Sequence, residues 1–315
     1  MLADGRIVEV TSCNKYSDLF WALQGGGNSF CLVTRFDLQT HPAPTFMFGS
    51  PSYGQSEVKD AFIDSVYNFA QQGHMDPKSA IIPVAQYHSG SSSPDYSATL
   101  VHTGNNTSPA ILQDFLGGRL SPLNSSNTLF PFSLARFSQA VTPSFQEGGL
   151  SHGSRQRFHL LPIKANLEAM RLVHDAYFAA AQATFADVEG AIIGFAFNPI
   201  TSQLLRKSNE KPGSLQGLNE DPACWIEQTY SWKNAADDAL FDNFIRNFEA
   251  NITEPLRTMN ATSSFYYLNE ADEGQPVFES YPDGNLARLK RIRAKYDPKR
   301  VFTDLMPGGF KVDAA

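Results

Sequence analysis

The middle of the chain alternates long amphipathic helices with strand-like segments that come in adjacent pairs. Residues 57–72 and 166–183 carry apolar side chains at helical spacing, whereas residues 80–87 and 96–102 alternate around a polar turn. Adjacent strands without a regular β-α-β alternation are typical of an antiparallel sheet, against which the helices bury their apolar faces. The pattern predicts an α+β fold with an antiparallel sheet covered on one face. Further strands are predicted at 157–163, 191–199, 225–232 and 264–268, and a further helix at 236–249.

The composition argues against several partners. The 315 residues are 42% apolar, which suffices for a sizeable core over about two domains. The formal net charge of −7 gives no general attraction to phosphate backbones, so no nucleic-acid partner is expected. No apolar run approaches the roughly 18 residues that a membrane span needs. Three scattered cysteines indicate structural thiols, and no metal site is predicted.

Three consecutive glycines, Gly25 to Gly27, follow a short predicted helix capped by Ser17 and precede a predicted strand at residues 30–38. In the common phosphate-binding loops the glycines precede a helix, whose N-terminus attracts the anion. Here the helix presents its negative end, so a diphosphate would be held by loop amides and Asn28. The residues alone leave two interpretations open, a structural C-cap turn and a cofactor loop.

The two ends of the chain each carry a distinct pattern. Asp4-Gly5 is a hairpin-turn signal followed by a strand-like segment at residues 6–11, so the chain is expected to begin inside a sheet. The stretch "GNLARLKRIRAKYDPKRVF" predicts a helix with Leu286, Leu289 and Ile292 inward, ended before Pro298. Its basic outer face is interpreted as a solvated surface.

Two stretches carry a family resemblance. "ADGRIVEVTSCNKYSDLFWALQGGGNSFCLVTRFDLQTHP" resembles the second half of the PCMH-type FAD-binding domain of the vanillyl-alcohol oxidase superfamily, in its berberine-bridge-enzyme-like, fungal branch. "YLNEAD" and the closing helix resemble the segment that returns to the flavin domain in that branch. The resemblance implies three regions: residues 1–45 in the FAD-binding domain, 46–263 as a substrate domain, and 264–315 as the returning segment.

The resemblance implies an oxidoreductase with FAD as cofactor. Members oxidise alcohols, sugars or activated C–H groups of secondary metabolites by hydride transfer to the flavin and usually pass the electrons to O2. Tyr266, Tyr267 and Asn269 are the catalytic candidates, although amphipathic strand residues are an equally good interpretation of the tyrosines. The implied cofactor contacts are Gly25, Gly26, Gly27, Asn28, Phe30 and Asn285.

The chain also departs from the family. Cys31 stands where members usually have glycine, and the first half of the FAD domain, with its covalent flavin-attachment histidine, is not found in this sequence. We therefore expect a truncated oxidase, possible inactivity of the chain alone, and weak FAD binding at best. The alternative is a non-catalytic fragment that pairs with a separate amino-terminal half.

A serine hydrolase is a distant alternative. "GLSHG", around Ser151, matches G-x-S-x-G, a motif that requires a strand before the serine and a helix after it. Glycosylation sequons, among them those at Asn105, Asn124, Asn251 and Asn260, are compatible with the secretory pathway, but the compartment stays open.

Overall fold

A computed structural model of the chain describes residues 1–40, 46–123, 127–149, 152–210, 214–218 and 221–315. The chain forms two compact units. Unit 1 comprises Met1–His41, Leu205–Asn219 and Ser264–Ala315, and unit 2 comprises Pro42–Leu204 and Glu220–Ser263. The segment 205–219 thus groups with the two ends of the chain, although it lies within the predicted middle region. The predicted proline boundary at residues 42–44 lies outside the described residues.

Eight strands of unit 2 form one antiparallel sheet in the order β5-β1-β4-β3-β7-β8-β6, with β2 paired to β4. The strands are β1 Phe46–Gly49, β2 Ser52–Gly54, β3 Ser79–His88, β4 Asp95–His102, β5 Phe130–Phe132, β6 Arg155–Lys164, β7 Ile192–Ile200 and β8 Ala223–Trp232. The five predicted strands of this unit are thus found as β3, β4, β6, β7 and β8. The predicted α+β class with an antiparallel sheet is confirmed.

Three long helices cover one face of this sheet. They are α2 Lys59–Gln72, α4 Leu167–Phe185 and α6 Asp238–Thr258; two shorter helices are α3 Leu134–Val141 and α5 Ser202–Asn209. Asn166 caps α4 by accepting a hydrogen bond from the Ala169 amide. On α2, Phe62, Val66 and Phe69 are buried, as their helical spacing predicts. The core of unit 2 therefore lies between these helices and every second side chain of each strand, the set that points toward the helices.

A buried polar cluster interrupts that core. The Tyr96 hydroxyl lies 2.8 Å from His174 Nε2, and His174 Nδ1 lies 2.9 Å from a carboxylate oxygen of Asp175. Lys59 donates to the same carboxylate. Burial lowers the pKa of His174, and this effect outweighs the opposite effect of Asp175. His174 is therefore neutral in the folded protein near pH 7.

This cluster predicts a loss of stability on mild acidification. Below an unfolded pKa of about 6.5 the unfolded chain binds a proton at His174 that the folded chain resists, so the free energy of unfolding falls as pH drops. Urea unfolding at pH 7.5 and 5.5 measures this decrease. A His174→Phe variant should be less stable at pH 7.5, because Tyr96 loses its partner, but should depend less on pH. An equal pH dependence in both proteins would contradict the assignment.

The described part of unit 1 contains the helices α1 Ser17–Leu23, α7 Asn285–Tyr296 and α8 Val301–Asp304, and α5 extends into it from residue 205. The predicted turn at its start is confirmed, because Gly5 has a φ of +86° and its amide donates to the Leu2 carbonyl. Ser17 is the first helical residue of α1; the N-cap is Tyr16, so the predicted Ser17 cap is wrong. α7 ends before Pro298 with Leu289 and Ile292 buried, as predicted.

Three predicted strands of this unit are not formed. Residues 6–11, 30–38 and 264–268 carry no ladder in the part of the chain that the structure describes. Alternating side chains favour an extended backbone, but a strand also needs a hydrogen-bonded neighbour.

The sequence "YDP" at the end of α7 places an aspartate, Asp297, before α8. Its buried carboxylate accepts hydrogen bonds from the Val301 and Phe302 amides at the start of α8.

Candidate functional site

The glycine run ends α1 and is packed tightly inside unit 1. A Cβ atom on Gly26 would lie 2.4 Å from the Ala22 carbonyl oxygen, 2.7 Å from the Phe30 ring and 2.9 Å from Leu289. Gly27 has a φ of +67°, which favours glycine. The glycine requirement thus has a packing cause within the unit, as the C-cap interpretation expects.

Two predicted cofactor contacts flank this loop. Phe30 is fully buried beneath Gly26, so its side chain has a packing role. Asn285 begins α7, and its side chain donates to the Leu215 carbonyl at 2.8 Å. Tyr281 donates to the Gly25 carbonyl at 2.7 Å, and burial raises the pKa of Tyr281 to about 12. The loop is therefore fixed by residues that lie far from it in the sequence.

Hydrogen bonds hold both ends of the Asn28 side-chain amide: Nδ2 donates to the Gly308 carbonyl at 3.3 Å, and Oδ1 accepts from Lys311. Lys311 Nζ donates to Asn28 Oδ1 and to the Phe302 carbonyl, both at 2.8 Å. Burial lowers the pKa of Lys311, and in the described ranges no carboxylate forms an ion pair with it. A partly buried ammonium with neutral partners, beside loop amides, fits an anionic cofactor such as FAD. Sequence reasoning missed Lys311, because it lies 283 residues from Asn28.

A cavity of about 580 Å³ adjoins this part of unit 1. Gly308, Gly309 and Lys311 line one side, and residues 271–279 line the other. Its volume is within the range of small-molecule sites. Glu273 and Glu279 are exposed at the cavity, so phosphate groups are favoured on the Asn28 and Lys311 side instead.

The three catalytic candidates of the sequence also lie in unit 1. Asn269 donates to the Tyr267 hydroxyl at 2.7 Å, so these two side chains form a pair. The Tyr266 amide donates to the Ser280 hydroxyl, which fixes the backbone there. Both tyrosines are half-buried, and Asn269 is exposed. The structure brings Tyr267 and Asn269 together, and their catalytic role stays a prediction.

Glu227 is the candidate that sequence reasoning missed. It lies in the middle of β8, on the sheet face opposite the helices, and it is half-buried. Burial raises the pKa of its carboxyl, while a 3.4 Å hydrogen bond from the Asn198 amide has the opposite effect. A carboxylate with a raised pKa on a sheet face is a candidate general base. The available signal was one acidic residue within the apolar strand "ACWIEQTYSW".

The hydrolase alternative lacks its structural context. Ser151 lies outside the described residues, but both flanks are described. The 3₁₀ helix Thr142–Phe145 precedes the motif and strand β6 follows it. This order is the reverse of the strand-to-helix turn that a nucleophilic serine needs.

Comparison with protein families supports a flavin enzyme. Residues 266–304 match the family model "Berberine and berberine like". FAD-dependent monooxygenase prx3 of Penicillium roqueforti is 26% identical over 99% of this chain and 61% of its own length. The bifunctional solanapyrone synthase of Alternaria solani is also 26% identical, over 99% of this chain and 57% of its own length. The chain thus spans about three fifths of the length of these curated relatives.

Solved structures share the fold. Glucooligosaccharide oxidase of Acremonium strictum superposes with a TM-score of 0.66 at 20% identity, over 98% of this chain and 65% of its own. BBE-like 1 of Physcomitrella patens gives 0.65 at 16% identity, over 96% and 62%. At such identities the likeness establishes the fold alone.

Along 99% of its length the chain is similar to an FAD-dependent monooxygenase, and it shares its fold with a BBE-like protein and a glucooligosaccharide oxidase. The predicted resemblance is confirmed, and residues 266–304 are its berberine-like segment. FAD is the cofactor in the relatives' names, as the sequence predicts. In the described ranges, no helix is long and apolar enough to cross a membrane, and no cluster of metal-binding side chains is found.

Proposed function

We propose that this chain supplies part of an FAD-dependent oxidoreductase that removes hydride from an alcohol, a sugar or an activated C–H group and passes the electrons to O2. The observation that carries the proposal is Glu227, a half-buried carboxylate on the sheet of unit 2. The similarity to curated FAD-dependent monooxygenases along 99% of the chain supports it. Bound FAD would supply the hydride acceptor.

Glu227 acts as the base in this proposal. Burial raises the pKa of Glu227, so its carboxylate takes a proton more readily than that of an ordinary glutamate. It removes the proton from the substrate hydroxyl, or from the group next to the activated C–H bond, as that carbon gives up hydride. Asn198 positions the carboxylate and limits the rise of its pKa.

Unit 1 holds the cofactor in this proposal. The amides of Gly25 and Gly27, together with Asn28 and Lys311, would bind the diphosphate, while the Gly26 amide donates to the Ala22 carbonyl. Asn285 supports the loop through the Leu215 carbonyl. Tyr267 and Asn269 remain candidates for orienting the reacting groups, because they form a hydrogen-bonded pair.

Flavin retention tests the proposal directly. Although the sequence alone predicts weak binding at best, the Lys311 ammonium beside Asn28 leads us to expect that the purified chain, mixed with FAD and passed through gel filtration, keeps a flavin absorbance band. Lys311→Met should lower the retained fraction, because the cation beside Asn28 is lost, whereas Lys299→Met at an exposed position should not. A folded but colourless wild-type chain would count against the enzyme and favour the second candidate below.

The second candidate is a binding module that pairs with a separate amino-terminal half. Ile7, Phe36 and Leu38 are each more than 70% exposed, and Leu32 is 44% exposed. They lie in strand-like segments that form no ladder among the described residues, although Leu32 exchanges two backbone hydrogen bonds with Met1. Such edges favour strand addition. Flavin retention that arises only after mixing with a polypeptide covering the unmatched portion of the relatives would support this candidate.

A further inference from the structure

Lys311 belongs to a short segment, residues 311–315, that lines the cavity of unit 1 and is bonded to several other elements. We infer that Asp313 is a positioning residue, whose ion pairs hold the Lys311 ammonium beside Asn28 for an anionic cofactor. This inference rests on the proposed function, because it concerns the cation of the same cofactor site.

The position of Lys311 is not favoured by the ammonium itself. Both of its acceptors, Asn28 Oδ1 and the Phe302 carbonyl, are neutral. Burial lowers the pKa of Lys311, so the charge is less well solvated here than in water. A fixed lysine side chain also loses rotamer entropy. Other contacts of the segment must therefore keep this ammonium at the loop.

Two contacts hold the backbone of the segment. Val312 is fully buried, and its amide donates to the buried Ser29 hydroxyl at 3.1 Å. The Lys290 ammonium donates to the Ala315 carbonyl at 2.6 Å. The first contact attaches the segment to the residue that follows Asn28, and the second attaches it to α7.

Asp313 is the charged anchor of the segment. Its side chain is 9% exposed, and its carboxylate forms ion pairs with Arg293 at 2.6 Å and with Arg300 at 2.5 Å. Arg293 lies on α7 with its side chain 12% exposed, and Arg300 immediately precedes α8. Separating the carboxylate from Arg293 would leave a buried guanidinium without its counter-charge, which is strongly unfavourable. The ion pairs thus keep the segment, and with it Lys311, in place.

The charge of Asp313 does not compete with a phosphate group at Lys311. The two guanidinium groups face two carboxylates, since Arg300 also pairs with the exposed Asp304, so these four charges balance. Lys311 has three N–H donors, and the described residues engage two of them. The third donor is therefore available to a phosphate oxygen.

The pKa of Lys311, measured in the chain without flavin, tests the inference. Trace acetylation with acetic anhydride over a range of pH, followed by mass spectrometry, gives this pKa in the native protein. We expect Asp313→Asn to release the segment, which returns Lys311 to water and raises its pKa toward the ordinary value of 10.5. If Asp313 acted through its charge alone, the loss of a nearby negative charge would lower this pKa instead.

FAD affinity gives a second measurement. The Kd for FAD, obtained from the quenching of flavin fluorescence, should rise about tenfold in Asp313→Asn, the equivalent of one charge-assisted hydrogen bond. In Lys311→Met the same substitution should change the Kd no further, because Asp313 acts through Lys311. Asp313→Glu keeps the carboxylate, so it should largely retain the wild-type Kd and the lowered pKa of Lys311.

Asp304→Asn is the matched control. It removes the exposed partner of Arg300 but no contact of the segment, so it should change neither measurement. Hydrogen exchange of α1 checks that unit 1 stays folded. Should Asp313→Asn unfold it, Arg300→Gln removes only the more exposed ion pair of Asp313 and should raise the pKa of Lys311 in the same direction.

An unchanged or lower pKa of Lys311 in Asp313→Asn would overturn the inference, and so would additive effects of the two substitutions on the Kd. A wild-type chain that binds no FAD would count against the proposed function, and the pKa of Lys311 alone would then decide the inference.

Discussion

Replacing Glu227 by glutamine should lower kcat/KM by about 10²- to 10⁴-fold, the usual contribution of a general base. Glutamine keeps the size of the side chain and its acceptor oxygen toward Asn198, but it cannot take a proton. Flavin content should not change, because the proposed cofactor contacts lie in unit 1 and Glu227 lies in unit 2. The measurement is steady-state O2 consumption normalised to bound flavin.

The pH dependence sharpens this prediction. The base is active when deprotonated, so activity falls as pH drops through its pKa. Because burial raises the pKa of Glu227, the acidic limb of the pH–activity profile should lie at a pH above the ordinary glutamate pKa of 4.5. Asn198→Ala removes the hydrogen bond that lowers this pKa, so the limb should move to higher pH. Glu227→Gln should lose the limb altogether.

A readout independent of turnover keeps the prediction testable. The carboxylate band of Glu227, obtained from the infrared difference between the wild type and Glu227→Gln, should titrate above the ordinary glutamate value in the chain without flavin. Wild-type turnover in Glu227→Gln, together with an unshifted band, would remove Glu227 from the mechanism.

The sheet and helices of unit 2 could be predicted because periodicity and burial agree there. The helical spacing of residues 57–72 and the alternation of residues 80–87 correspond to α2 and β3 within two residues at each end. The strands β1, β2 and β5 were missed, because three or four residues are too few to show a period. They are defined by their pairing with residues that are distant in sequence.

The site was predicted less completely for the same physical reason. The glycine run could be read as a turn after a helix, but its packing depends on Leu215, Tyr281 and Leu289, which no local pattern connects to it. Residues 6–11 and 30–38 show the opposite failure, since their alternation is clear but no ladder forms among the described residues. A side-chain pattern predicts backbone preference, whereas a strand or a site requires a partner.

Gly26→Ala should destabilise unit 1 by about 3 kcal/mol, at the upper end of the cost of overpacking. The new Cβ would approach the Ala22 carbonyl oxygen to 2.4 Å, and that oxygen cannot easily move because it accepts the Gly26 amide. The Phe30 ring on the other side is fully buried. The end of α1 must therefore open for the methyl group to fit.

Hydrogen exchange measured by mass spectrometry locates the effect. Peptides that contain α1 and α7 should lose protection in Gly26→Ala, while peptides from β7 and β8 keep theirs. Gly274→Ala is the matched control in unit 1, since Gly274 has a φ of +86° but open space around it, so that only a backbone cost of about 1 kcal/mol arises. If the two variants lose protection equally, Gly26 is not required for packing. The conformation of the loop would then need another explanation, and cofactor binding by its amides would become the stronger one.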